Sequence, residues 1–428
     1  MTKNKSFLFA FAVGLLAMAS CIRNPATHKV HTRLLSAEAE RKIGLATKKE
    51  VVQEYHVFES TAVSAYVNRV GQKLAQVCDR PTVDYDFTVL DSDLINAFAV
   101  PGGFIFITRG LLEAVNDESE LAMVLGHEIG HVAALHGVQM IQKEMGENAL
   151  TILGTIGAAL TAGPEAMLMV ANTANLFSSL YLLGYSREKE LEADNLGLQY
   201  MLRAGYDPRG ALVFLKKLQA LDHEHAQGWD LYFRTHPSTD ERIRIIESMI
   251  GQDNEISNTP VPQRTVNEYG RIKSYLPRVD EKERGHISSS TYVNTNYGLE
   301  MHVPSNWMLG YFHPQSLVSF HTVNNEGEGR LQVVKLASST LNAEDLATQF
   351  GAMAGFQGYG GHNVLYPAGY GFLAHFAGIS AGGELLDIRL LALIRRGRGY
   401  IIFCGAPPEK ADAYSLDLEQ ILRGLKFS

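Results

Sequence analysis

A chain of 428 residues has the length for two domains, each with enough residues to bury a core. Hydrophobic residues at 46% and charged residues at 20% are an ordinary balance for a folded globular protein. A net charge of −8, with no basic cluster to follow a phosphate track, argues against nucleic acid as a partner.

The first residues read as an address. Lys3 and Lys5 precede an apolar run over residues 7–18, too short to span a bilayer. Met18-Ala19-Ser20-Cys21 resembles a bacterial lipoprotein signal, in which Cys21 becomes the lipid-bearing first residue of the mature chain. Met18 stands where leucine is usual, so ordinary secretory cleavage is the alternative, and an incidental cysteine the blander one. Ile22 favours the outer membrane under the lipoprotein sorting rule, and several lipid chains on one cysteine suffice for stable anchoring. Residues 1–21 are thus expected to be a signal peptide, and 22–35, polar with Pro25, a tether. Cys78 and Cys404 fall in different expected domains and read as two buried free thiols rather than a disulfide.

Residues 37–50 and 61–78 carry helical periodicity, the second with Val63, Tyr66, Val67, Val70, Leu74 and Val77 on one stripe. Residues 84–90 alternate like a strand. Pro101-Gly102-Gly103 followed by Phe104-Ile105-Phe106-Ile107 predicts a hairpin whose second strand lies at a sheet edge. Such an edge would take an extended substrate by strand addition, with main-chain bonds supplying affinity. An ordinary buried hairpin is the competing reading. Asp117 and Glu120 form a D-x-x-E capping box for a helix over 118–136.

That helix carries His127-Glu128-Ile129-Gly130-His131 in its third turn. Positions i and i+4 lie on one helical face, so both imidazoles can reach one metal ion. Glu128 projects about 100° round the helix, beside the ion, as a base for an attacking water. A catalytic zinc needs a third protein ligand and an open position. The metzincin pattern would put a third histidine at 137, but that residue is Gly137, and His136 is one short with its ring pointing elsewhere. A distant helix must supply the ligand. In Arg187-Glu188-Lys189-Glu190-Leu191-Glu192-Ala193-Asp194, Glu190 and Asp194 share a face; Glu190 can ligate while Asp194 accepts the outer N–H of a ligating imidazole. Away from an HExxH, such a stretch is usually a solvated helix face. Between these motifs, residues 149–184 are strongly apolar around Gly163-Pro164 and read as a helical hairpin, either core, membrane contact or lid.

HEIGH on a capped helix, the upstream NAFAVPGGFIFITRGLL, SREKELEAD and the downstream HPSTDERI resemble, in order, four signatures of one family. It is the gluzincin family of HtpX, the CaaX prenyl proteases and the BepA-like periplasmic proteins, and the resemblance covers about residues 36–250. It implies one zinc per chain held by His127, His131 and Glu190, with Glu128 as catalytic base and Asp194 as outer partner. His236 and Arg242 are the candidates to face the oxyanion. A structuring His-Pro turn and an ordinary ion pair are the respective alternatives, and His236 has a third: occupying the open metal position in a resting form. The chain has no run of 18 apolar residues, which makes it similar to the soluble periplasmic branch, and no tetratricopeptide array, which separates it from BepA-like proteins.

Residues 251–285 are polar without apolar periodicity and read as a linker. From 286 to 428 an α+β sandwich domain is expected, with strands at 298–303, 331–336, 372–379, 385–394 and 400–404 and helices at 343–354, capped by Asn342, and 408–425. Its pattern resembles PsbP- or Mog1-like domains in shape more than motif. The expected fold is thus a mainly α zincin-type peptidase domain with a small sheet, followed by this separate domain. The expected function is a zinc endopeptidase of the bacterial periplasm, anchored to the outer membrane, acting on unfolded or extended envelope polypeptides. An envelope protein partner for the C-terminal domain is expected by exclusion. The alternative is an assembly chaperone with slow or conditional proteolysis.

Overall fold

A computed structural model describes residues 20–427 apart from 25, 34, 148–183, 224–228, 238–239, 253–262, 278–283, 312–315, 324–326, 337, 339 and 380–384. Two compact units emerge, one from the described parts of Met1–Asp91, Ala97–Ala220 and Thr235–Leu276, the other from those of Ser92–Asn96, Leu221–Arg234 and Pro277–Ser428. The expected signal over 1–21 falls almost wholly outside the described residues, as does the apolar hairpin over 149–184. Among the described residues no helix is long and apolar enough to cross a membrane.

The described residues of the segment expected to be a tether include a paired hairpin. β1 (Ser20–Arg23) and β2 (Val30–Arg33) pair antiparallel, with Cys21 opposite Thr32. Asn24 organises the turn: its Oδ1 accepts the N–H groups of Ala26 (2.9 Å) and Thr27 (3.1 Å), the asparagine turn that competes with an extended chain. Polarity alone suggested a tether, whereas the turn chemistry makes a hairpin.

Ser36 and Ser60 cap α1 (Ala37–Tyr55) and α2 (Thr61–Ala75), and Val63, Tyr66, Val67, Val70 and Leu74 are buried as the stripe on α2 predicts. Next come β3 (Asp86–Leu90), β4 (Ala97–Val100) and β5 (Phe104–Thr108), in the spatial order β3-β5-β4. The edge expectation for Phe104, Ile105 and Phe106 is therefore overturned. β5 is the central strand, parallel to β3 and antiparallel to β4, and all five of its residues are buried. An unbroken apolar run buried on both faces marks a central strand, and β3 and β4 are the two edges.

After α3 (Arg109–Ala114), α4 (Glu118–Ala133) begins at Asp117, whose side chain accepts from Ser119 and Glu120. The return half of the capping box differs, because Glu120 accepts from the backbone and side chain of Asn116 instead. α4 also ends before 136: Leu135 takes a positive φ, and α5 (His136–Glu147) starts in a new direction. α6 (Arg187–Arg203) crosses α4 at close range. A Cβ on Gly197 would lie 2.9 Å from the His127 nitrogen, and one on Gly130 2.9 Å from the Ala193 oxygen, so only glycine permits this approach. α7 (Arg209–His223), α8 (Asp230–Thr235) and α9 (Asp240–Gln252) follow. Within the expected linker, Gln263–Lys273 is a helix, α10; its fully buried Tyr269 donates to the Leu112 oxygen. Its polar sequence hid it; among its residues of described burial, Tyr269 and Ile272 are the buried hydrophobics.

In the second unit, β6 (His286–Ser288), β7 (Thr291–Asn294), β8 (Leu299–His302) and β16 (Lys426–Phe427) form one antiparallel sheet. A seven-stranded antiparallel sheet holds β9 (Trp307–Gly310), β10 (Val318–Thr322), β11 (Glu328–Lys335), β12 (Gln357–Tyr366), β13 (Gly369–Ile379), β14 (Leu385–Arg395) and β15 (Arg398–Ala406). α11 (Ala343–Met353) begins with an Asn342–Asp345 capping box and buries Leu346 and Ala347 among Phe372, Phe376, Ile388 and Phe403. α12 (Ala411–Gly424) buries Leu418, Ile421 and Leu422. Cys78 and Cys404 are buried and free.

Candidate metal centre

His127 and His131 stand on successive turns of α4, with their Nε2 atoms 3.0 Å apart. The close crossing at Gly130 and Gly197 brings the first turn of α6 against them. Glu190 Oε2 lies 3.4 Å from His127 Nε2, and Oε1 lies 3.3 Å from His131 Nε2. His236, just after α8, adds Nδ1 at 3.3 Å from His127 Nε2 and 3.2 Å from Glu190 Oε2. The ligating atoms of these four buried residues all lie within 4.8 Å of one another. Three imidazoles and a carboxylate converging in one buried space suit a divalent metal of the zinc type. The sequence-derived ligands come together, and His236 joins them.

The outer nitrogens are also held. His127 Nδ1 donates to Asp194 Oδ1 at 2.8 Å, so its Nε2 lone pair faces inward. Arg242 donates to both Asp194 oxygens, at 2.6 and 2.8 Å, and to the Pro237 oxygen at 3.0 Å. The ion-pair alternative for Arg242 is the arrangement found, and its Nη1 also lies 3.4 Å from Glu190 Oε2, at the edge of the ligand cluster. Burial penalises a charged His127, but Glu190 and Asp194 outweigh it, so the site favours a positive charge at this imidazole, from a proton or from a metal ion. Burial likewise works against the Glu190 carboxylate, yet His236 and His127 hold it well below its usual range.

Glu128 lies in the same buried space. Its Oε1 is 3.6 Å from His236 Nε2, and its Oε2 has no hydrogen-bond partner among the described residues. Burial raises its carboxyl above the ordinary value, with His236 and His127 opposing. An orphaned carboxylate oxygen beside a ligand cluster is a proton acceptor awaiting a donor. The cleft in front of it is lined by Phe98, Ala99, Val100, Tyr185, Thr235 and His236. β4, not the Phe104–Phe106 strand, therefore fronts the site; its Ala97 oxygen accepts from His236 Nε2 at 3.3 Å.

Two neighbours escaped the sequence reading. Tyr185 stacks on His131 with centroids 4.0 Å apart, and no spacing rule links 185 to 131. His136 was set aside because a continuous helix would point its ring elsewhere. The break at Leu135 instead places His136 Nδ1 2.8 Å from His131 Nδ1. The positive φ of a leucine was the missing signal.

The family model described as Peptidase family M48 matches residues 61–250 of the chain. The chain is 28% identical over 211 residues to the beta-barrel assembly-enhancing protease of Yersinia pestis, covering 49% of this chain and 43% of that protein. It is 28% identical over 219 residues to the mitochondrial metalloendopeptidase OMA1 of Schizosaccharomyces pombe, covering 50% and 62%. To the Bos taurus mitochondrial metalloendopeptidase OMA1 it is 30% identical over 234 residues, covering 54% and 45%. The chain thus spans less than two thirds of the length of these relatives. Among solved structures, cyanobacterial PsbP from Synechocystis sp. PCC 6803 aligns with 36% of this chain and 99% of its own at TM-score 0.28 and 11% identity, too low to carry an argument.

Proposed function

We propose that the protein is a zinc-dependent endopeptidase of the bacterial cell envelope, acting on misfolded or unassembled polypeptides, a reading supported by the match of residues 61–250 to Peptidase family M48. The observation that carries this reading is the four-donor cluster with the unpartnered Glu128 oxygen beside it. His127, His131 and Glu190 would hold the zinc that peptidases of this family use. When bound, the metal supplies Lewis acidity and eases deprotonation of water near neutral pH.

Glu128 takes a proton at the free Oε2 and returns it to the leaving amine. Asp194, clamped by Arg242, keeps the proton of His127 on Nδ1. An extended substrate adds to the outer edge of β4 beside the cleft, displacing the His236 contact to Ala97, which favours unfolded segments over a tight sequence motif. His236 would serve as the ligand of a resting form. A fourth protein donor closes the position that catalysis needs open, and the same ring covers the Ala97 oxygen that an added strand would use. Withdrawal of His236 frees both. The leader with Cys21 supports export and attachment to the outer membrane.

Cleavage of an unfolded protein such as casein, with zinc content measured, tests the assignment. Glu128→Gln is expected to keep its zinc and lose about 10²–10⁴-fold in rate. Equal cleavage by the variant would overturn the mechanism. Suppression of aggregation by both proteins with cleavage by neither would establish the chaperone alternative.

A further inference from the structure

The two ligating imidazoles of α4 are supported from different directions. Behind His127 stand a carboxylate and a cation on the two helices that bracket it, Asp194 and Arg242. Behind His131 the corresponding chain is longer and ends outside the helical body. His131 Nδ1 meets His136 Nδ1 at 2.8 Å, His136 Nε2 meets Glu192 Oε2 at 3.0 Å, and Glu192 Oε1 meets Lys29 Nζ at 3.2 Å. Lys29 belongs to the turn between β1 and β2, and it also lies 3.2 Å from Glu188. From the same turn, the fully buried Asn24 donates through Nδ2 to the Ala134 oxygen at 2.8 Å, alongside Gln139 at 3.0 Å. That carbonyl is among the last of α4, whose final turn carries His131 and has no helical partner for it.

We propose that the β1–β2 hairpin is a positioning element of the metal centre: Lys29, Glu192 and His136 set the tautomer and orientation of His131, and Asn24 pins the end of its helix. The inference rests on reading the cluster as a zinc site. The proton positions follow one from another. For His131 to present its Nε2 lone pair to a metal, its proton must sit on Nδ1 and be donated. The acceptor 2.8 Å away is His136 Nδ1, which must then be bare. The remaining proton of His136 is on Nε2, where only an acceptor suits it, and Glu192 provides one. Lys29, 3.2 Å from its other oxygen, holds that carboxylate in place. If His136 carried its proton on Nδ1, two N–H groups would face each other and His131 would turn. His136 and Glu192 are therefore positioning residues, and a segment just after the leader completes the chain.

The test is zinc affinity of the full-length protein by competition with a chelator, with thermal melting as the control for folding. His136→Ala is expected to weaken zinc binding about 10–100-fold, as for other outer partners of metal-bound histidine. Glu192→Gln should move in the same direction. Lys29→Glu should weaken binding by up to about fivefold, the scale of an exposed ion pair, with Lys29→Arg restoring the wild-type midpoint. The visible spectrum of the cobalt-substituted protein should shift in the His136 and Glu192 variants, a change that general loss of stability would not produce. If His136→Ala does not fold, Glu192→Gln and Lys29→Glu, on more accessible residues, decide the matter. Folded variants with wild-type zinc affinity and an unshifted cobalt spectrum would overturn the inference alone. A wild-type chain that binds no zinc would overturn the metal-centre reading as well.

Discussion

Arg242 and Asp194 form a nearly inaccessible ion pair, with side chains 3% and 1% exposed. Burial works to raise the Asp194 carboxyl, and Arg242 followed by His127 overcomes it and holds it below its ordinary value. Arg242→Ala strands that charge and is expected to cost about 3–5 kcal/mol, read as a fall in melting temperature together with lost zinc. Arg242→Lys should not rescue it, because an ammonium cannot make the forked contact with both oxygens. A variant that melts with the wild type would show the pair to be dispensable. His236 gives a prediction of opposite sign. If it is the resting ligand, His236→Ala should raise casein cleavage severalfold while zinc is retained. A fall of about 10²-fold or more would return His236 to the oxyanion role. At this scale His127, Glu128, His131 and Glu190 were legible from residue type and spacing. The direction of Arg242 was not, because a charged side chain on a helix announces its charge and not its partner.

The helices and strands carry the next level. α4 and α6 meet through glycine, and Gly197→Ala would press a methyl group against the backbone at His127. Backbone cannot yield as a flexible side chain does, so the helices must part. The expected cost is about 1–3 kcal/mol of overpacking, with weaker zinc binding because Glu190 rides on α6. Unchanged melting and unchanged zinc affinity would refute that account of the crossing. The caps at Ser36, Ser60, Asp117 and Asn342 could be read ahead or fitted simple local rules, since a cap involves neighbours in sequence. The order β3-β5-β4 could not. Alternation and turn chemistry identify a hairpin, but which member takes a third strand depends on a segment more than ten residues away. The same limit hid α10, whose burial rests on Tyr269 reaching Leu112.

For the whole molecule, the hairpin at the start of the described chain changes what a lipid anchor would do. Asn24 follows Cys21 by three residues, which span at most about 11 Å when extended. A lipid on Cys21 would therefore hold the end of the metal-bearing helix close to the bilayer, where a 14-residue tether would have allowed wide excursions. If Cys21 carries a lipid, Cys21→Ser is expected to abolish incorporation of a labelled fatty acid; unchanged labelling would remove the lipoprotein reading. What the sequence determined by itself was local and periodic: two imidazoles one helical turn apart, a base beside them, an acidic pair on one face of a later helix, and caps that begin helices. Those follow from the pitch of the helix and the valence of each backbone group, which travel with the chain. Only the tertiary structure decided which strands are the edges, that Arg242 serves Asp194, that Tyr185 and His136 flank His131, and that Lys29 and Asn24 reach the metal centre. Each of these depends on which surfaces close on one another, and that closure joins residues whose separation in sequence carries no periodic signal.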